Sequence, residues 1–334
     1  MKEKNKGFTL VELLAVIVIL ALIALIATPI ILNVINDAKK QAAKDSAYGY
    51  MDAVEKYIVS SELEDKSIKD GTYRVEDLNK KISVKGSTPD NGTIKIENKE
   101  VKNYDIGIDG YAVSNGEVEK VSTTKKFENG TAVYYNPVSG KKCTGYTETN
   151  STKETKSGCM KWYVFNDKEG NATVNVIVDH NTTAEVAWNL TGNNSEMKEV
   201  KIKLENDTKD WKNTARLITA SEIAKITGNT GFDTSKNQDW FCLDTNKPDT
   251  ANWCAKSQGT SEYDWLFDYT YDCTNYGCNI SDSNTWGYWT SSPDKGNSAY
   301  AWRVRWNGNL LNGVVGSTDF GIRPVITISK SNIE

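Results

Sequence analysis

Glu12 and six cysteines are the residues of this 334-residue chain whose type and placement point most directly to chemistry. Glu12 is the only charge in an apolar run of about 25 residues, FTLVELLAVIVILALIALIATPIIL. A carboxylate in hydrocarbon typically costs roughly a few kcal/mol unless it is paired, so this one needs a cation. Cys143, Cys159, Cys242, Cys254, Cys273 and Cys278 all follow that run and fall into three sequence-local pairs. In an exported chain an even set of this kind reads as disulfides. Pairing Cys143 with Cys159, Cys242 with Cys254 and Cys273 with Cys278 closes the shortest loops, at the least cost in closure entropy. A zinc site is the competing reading, but no C-x2-C pair or nearby histidine favours it. His180 is the single histidine. Most arrangements in which an imidazole acts as general base beside a Ser or Cys nucleophile are thereby removed.

The expectation is a protein that is not an enzyme, with no catalytic residues, no metal and no cofactor. An anchored surface enzyme is the alternative, with carboxylates such as Asp239, Asp244 and Asp264 as acid/base groups; no spacing singles out a pair. With 40 Lys and Arg against 44 Asp and Glu there is no basic field to hold a nucleic-acid backbone, and no nucleic acid is expected at the head. Mean hydropathy is low although the first forty residues are very apolar. The rest is therefore polar, rich in Asn, Thr, Ser, Lys and Gly, as suits an extracellular domain.

These residues must be positioned by a helix and a secreted head. At 1.5 Å per residue the apolar run rises about 37 Å, enough to cross a hydrocarbon core of about 30 Å. Lys2, Lys4 and Lys6 bias its start to the cytoplasm and everything after residue 40 to the outside. The run is too long for an ordinary secretory signal, and Lys39 and Lys40 follow it directly. Pro29 removes one helix hydrogen bond and loosens the helix locally. Beyond it Ala47, Met51, Val54 and Ile58 recur at helical spacing, which predicts that the helix continues to about Leu63 with one face on a globular core.

The stretch KGFTLVELLAVIVILALIALIATPIIL resembles the class III signal of type IV pilins and type II secretion pseudopilins. The resemblance implies that a prepilin peptidase cuts between Gly7 and Phe8, that Phe8 is methylated, and that Glu12 and Pro29 serve filament assembly. It also implies other pilin subunits as partners through the helix, storage in the cytoplasmic membrane, and an extracellular filament or cell-surface location after assembly. Apart from the name, cutting after Gly7 creates an α-ammonium group near the membrane edge, the cation that Glu12 lacks.

The expected class is α+β: a leader over 1–7, a transmembrane and assembly helix over 8–65, a small pilin-like sheet over 66–130 and a disulfide-bearing head over 131–334. Asn91–Gly92 and Asn115–Gly116 are read as tight turns, and ATVNVIVDH and AEVAW as strands. ARLITASEIAKITG predicts a strand and then a short helix capped by Thr219 or Ser221, with Glu222 in its first turn. Tyr288–Ser292, Arg303–Val304 and Gly321–Val325 resemble the closing strands of C-type-lectin-like folds of the formylglycine-generating-enzyme type. That likeness implies a fold and no activity. Trp302 reads as core, and Arg305, Trp306, Asn307, Asn309, Leu310 and Asn312 as a candidate ligand-binding segment. The leading reading is a minor or tip filament subunit displaying an adhesive head for a surface ligand. A pseudopilin of a secretion or DNA-uptake machine is the alternative.

Overall fold

The computed structural model describes residues 9–64, 68–122, 125–144, 158–182, 185–228, 232–235, 240–241, 263–267, 287–305 and 309–333. Helix α1, Leu10–Leu63, runs unbroken for 54 residues. Thr9 caps it: its hydroxyl accepts from the Glu12 amide at 3.3 Å, while Glu12 Oε2 accepts from the Thr9 amide at 2.9 Å. This reciprocal capping box satisfies two helix-start groups that have no partner within the helix. Up to Gln41 and Ala42 no side chain of α1 is buried; from Ala43 on, Ala43, Ala47, Tyr50, Met51, Val54 and Ile58 are. Helix α1 continues through Pro29, whose missing N–H leaves the Leu25 carbonyl without its usual donor. One residue earlier, Thr28 Oγ1 donates back to the Ala24 carbonyl at 2.6 Å. Both features weaken the same turn.

The inward face of α1 packs on a five-stranded antiparallel sheet ordered β1 (Gly71–Arg74), β2 (Asn91–Glu97), β3 (Glu100–Ile108), β4 (Tyr111–Ser114) and β5 (Glu117–Lys120). The short α2, Val75–Leu78, closes one end. Alternation decides the faces: Ile94, Ile96, Tyr104, Ile106 and Ile108 join the helix core, while Thr93, Asp105 and Gly107 lie on the other side. Asn115–Gly116 forms the β4–β5 turn, with both residues at positive φ. Asn91–Gly92 does not turn; it opens β2. Gly92 has φ 141°, and a Cβ there would run into the Asp105 carbonyl, so its glycine serves close strand approach. The turns on either side of β3 are Asn98–Lys99 and Asp109–Gly110.

The polar face of that sheet meets a six-stranded antiparallel sheet built from β6 (Ala132–Asn136), β7 (Lys141–Lys142), β8 (Met160–Phe165), β9 (Thr173–Val178), β10 (Arg216–Leu217) and β15 (Pro324–Ser329). Asn91 Nδ2 donates to the Thr173 carbonyl at 3.3 Å, and Asp105 Oδ2 accepts from the Thr214 amide at 2.9 Å. A Cβ at Gly107 would come within 2.8 Å of Thr173 Oγ1, so glycine sets the spacing. A third sheet, ordered β11 (Trp240–Phe241), β14 (Asn309–Val314), β13 (Tyr300–Arg305) and β12 (Gly287–Pro293), stacks beyond. Between the two head sheets lies a core of Phe165, Ile177, Trp302, Val304 and Leu310, closed by α4 (Ala220–Ile226) and α5 (Asp264–Phe267). Trp289, Phe320 and α3 (Lys198–Asp207) cover the other face of the third sheet.

The ARLITASEIAKITG reading matches β10 and α4, with a second capping box between Thr219 and Glu222. AEVAW differs. Its described part, 185–188, is irregular because Val186 and Asn189 donate singly to Phe320 and Val315 rather than to one neighbouring strand. Trp188 is nonetheless buried, its Nε1 donating to the Thr290 carbonyl.

Candidate functional site

The longest continuous surface with an unmet physical requirement is the outer half of α1. Leu10, Leu25 and Ile26 are 81%, 73% and 68% exposed, and their neighbours are apolar on every side of the helix. Bare apolar surface of this extent requires lipid or other helices. Glu12 lies one turn from its start, with Oε2 accepting from both the Thr9 amide and the Thr9 hydroxyl. Those bonds orient the carboxylate and leave its charge uncompensated, so the demand for a cation stands. Gly7 and Phe8, the proposed cleavage and methylation pair, lie outside the described residues.

Cys143 and Cys159 are joined, S–S 2.06 Å, and tie the end of β7 to the start of β8. Cys242, Cys254, Cys273 and Cys278 lie outside the described residues, as do Asp239 and Asp244. Asp264 begins α5 and is half-buried. Among the described residues, no group of three or more His, Cys, Asp and Glu side chains is placed to hold a metal ion.

The candidate ligand segment does not present one surface. Trp306 and Asn307 lie outside the described residues, and Asn309 opens β14. Leu310 faces the core and is 1% exposed, so its side chain is not available to a ligand. Asn312 donates to Asp294 Oδ2 at 2.6 Å, next to fully buried Trp302 in register. Strand alternation puts Arg303 and Arg305 on the opposite face, Arg303 across from Trp289 and Arg305 across from Gly287. In the sequence Arg303 reads as part of a closing strand and is not among the candidate ligand residues. Its guanidinium carbon stands 4.1 Å from the Phe320 ring centroid and 5.7 Å from that of Trp289. Only the Arg-x-Arg spacing hinted at it, because its ring partner is distant in sequence.

Two buried charge clusters hold the head together and join it to the sheet. Glu222 receives both Arg216 Nη atoms, at 2.9 and 2.7 Å, and Arg74 of β1 approaches it at 3.3 Å. Burial alone would raise this carboxyl, but Arg216 and Arg74 pull it down to about 2. Lys330 and Asp167, both fully buried, pair at 2.9 Å. Lys330 Nζ also donates to the carbonyls of Lys125 and Lys168, which completes its three donor positions. The opposite charges compensate one another in both arrangements, while Asp167 Oδ1 and Arg216 Nε are buried without a hydrogen-bond partner among the described residues.

Residues 2–28 match the prokaryotic N-terminal methylation motif. Comparison with curated proteins found no match, and comparison with solved structures found none. The motif and the bare apolar helix together support a type IV pilin-like or pseudopilin precursor, processed by prepilin peptidase, anchored in the membrane before assembly and joined there to other pilin subunits.

Proposed function

We propose that this chain is a minor or tip subunit of a type IV pilin-like filament, and that its large C-terminal unit is a C-type-lectin-like head that binds a surface ligand without turnover. The observation that carries the reading is the division of α1: bare apolar residues as far as Ile35, then a face seated on its own sheet from Ala43 on. One half is left for membrane and neighbouring subunits; the other carries a folded load. The lectin-like assignment is supported by the meeting of the three segments that carry the likeness. Tyr288 pairs with Val304, and Trp289 donates to the Gly321 carbonyl. A minor or tip position follows from bulk, since three stacked sheets on one helix crowd a regular helical lattice.

The test is Glu12→Ala in cells that carry the assembly machinery. Loss of a charge pair in an apolar setting predicts that the subunit falls by about tenfold or more in sheared filaments, while the head keeps its thermal midpoint. Normal incorporation of the variant would contradict the assembly role.

A further inference from the structure

Arg303 has no hydrogen bond and no ion pair among the described residues. Buried or half-buried guanidinium groups ordinarily meet a carboxylate or several carbonyls. Arg323 in the same head does so, donating to the carbonyls of Val178, Leu266 and Trp265. Arg303 instead is held by shape. Phe320 covers one side of its guanidinium at 4.1 Å. On another side stands Gly313, where a Cβ would run into Cζ, Nε and Nη1 of Arg303. The guanidinium therefore occupies the space that a Cβ at position 313 would take. Nε is enclosed without a partner, while the residue as a whole keeps partial exposure.

The electrostatics agree with the geometry. Burial first, and then the like charge of Arg305 two residues on, lower the Arg303 guanidinium to about 10, against a smaller opposing pull from Asp319. It remains cationic at neutral pH. Asp319 is exposed, its Oδ2 accepts from Ser317, and no ion pair joins it to Arg303 among the described residues. A planar fork pre-oriented on an aromatic ring suits a carboxylate, sulfate or phosphate oxygen pair, because little freedom is left to lose on binding.

We propose that Arg303, slotted between Phe320 and Gly313 and flanked by Arg305, is an oxyanion-recognition site of the head, taking a carboxylate, sulfate or phosphate group of a surface polymer. This deepens the ligand-binding reading above and rests on it for biological meaning, but the binding itself can be measured without a filament.

The test uses the full chain in detergent micelles and four probes: a uronic-acid oligosaccharide, a sulfated oligosaccharide, polyphosphate and a neutral oligosaccharide. Binding of at least one anionic probe and not the neutral one is expected, and the preferred probe identifies the source of the anion. Arg303→Gln should weaken that binding by roughly tenfold to a hundredfold, the usual range for a charge-assisted hydrogen bond. Arg303→Lys and Gly313→Ala keep the net charge and should still weaken it, the first by losing the fork and the second by filling the slot. If no anionic probe binds better than the neutral one, or if Arg303→Gln, Arg303→Lys and Gly313→Ala, each with the parent's thermal midpoint, bind as the parent does, the site is overturned. Anion binding in a chain that never enters filaments would sink the display reading alone; incorporation without anion binding would sink this site alone.

Discussion

His180 and Asp105 are the residues at which solution pH reaches the interior. Burial lowers His180 to about 4, with Arg323 adding to that and Asp179 opposing it. Its ordinary value is 6.5, so the unfolded chain takes up the proton first, and stability falls as pH drops from about 6.5 toward 4. Asp105 works the other way. Burial raises it to about 6, against hydrogen bonds from Thr214, Ser114 and Asn213, so the folded chain holds the proton longer. Its contribution is full below 3.8 and is lost as pH rises through 6. Asp105→Asn should therefore shift the stability difference from the parent in the variant's favour by about 2 kcal/mol between pH 4 and pH 7, read by denaturant unfolding. A difference that stays flat with pH would show that Asp105 is not desolvated at the contact between the five-stranded and six-stranded sheets.

At the scale of elements, the pieces read correctly from sequence are those fixed by neighbours along the chain. Helix α1 follows from its apolar run and the Ala47, Met51, Val54 and Ile58 stripe, and α4 from the Thr-x-x-Glu pattern at Thr219 and Glu222. Sequence alone hides what distant residues decide. Asn91–Gly92 carries a strong local turn signal, yet β3 draws it into a strand. Arg303 is seated by Phe320 and Gly313, neither of which adjoins it in sequence. Leu310 falls in the candidate ligand-binding segment but faces the core once β13 and β14 pair. Glu222 shows both kinds of information at once: its capping role is local, whereas its bond to Arg74 reaches from the head to β1. Removing one partner of a buried charge cluster typically costs about 3–5 kcal/mol. Glu222→Gln should destabilise the chain by about 3 kcal/mol or more at pH 7, measured by denaturant unfolding. A loss below about 1 kcal/mol would mean that the cluster adds no more than a surface pair.

On the scale of the whole molecule, the layers run in one direction: α1, the five-stranded sheet, the six-stranded sheet, then the four-stranded sheet that carries Arg303 and Arg305. The contact between the first two sheets is polar, with Asn91, Thr93, Asp105 and Gly107 facing Thr173, Asn175 and Thr214. Each side keeps its own apolar core, one under α1 and others within the head. The proposed recognition face lies on the four-stranded sheet, a different layer from the sheet that seats the assembly helix. Everything in that account depends on the helix entering a filament, and entry begins with removal of the leader. The direct measurement is intact mass and N-terminal sequencing of the chain co-expressed with a prepilin peptidase. The account predicts a chain that begins at N-methylated Phe8; an uncut terminus at Met1 or Lys2 would leave α1 a plain membrane anchor and contradict the filament role.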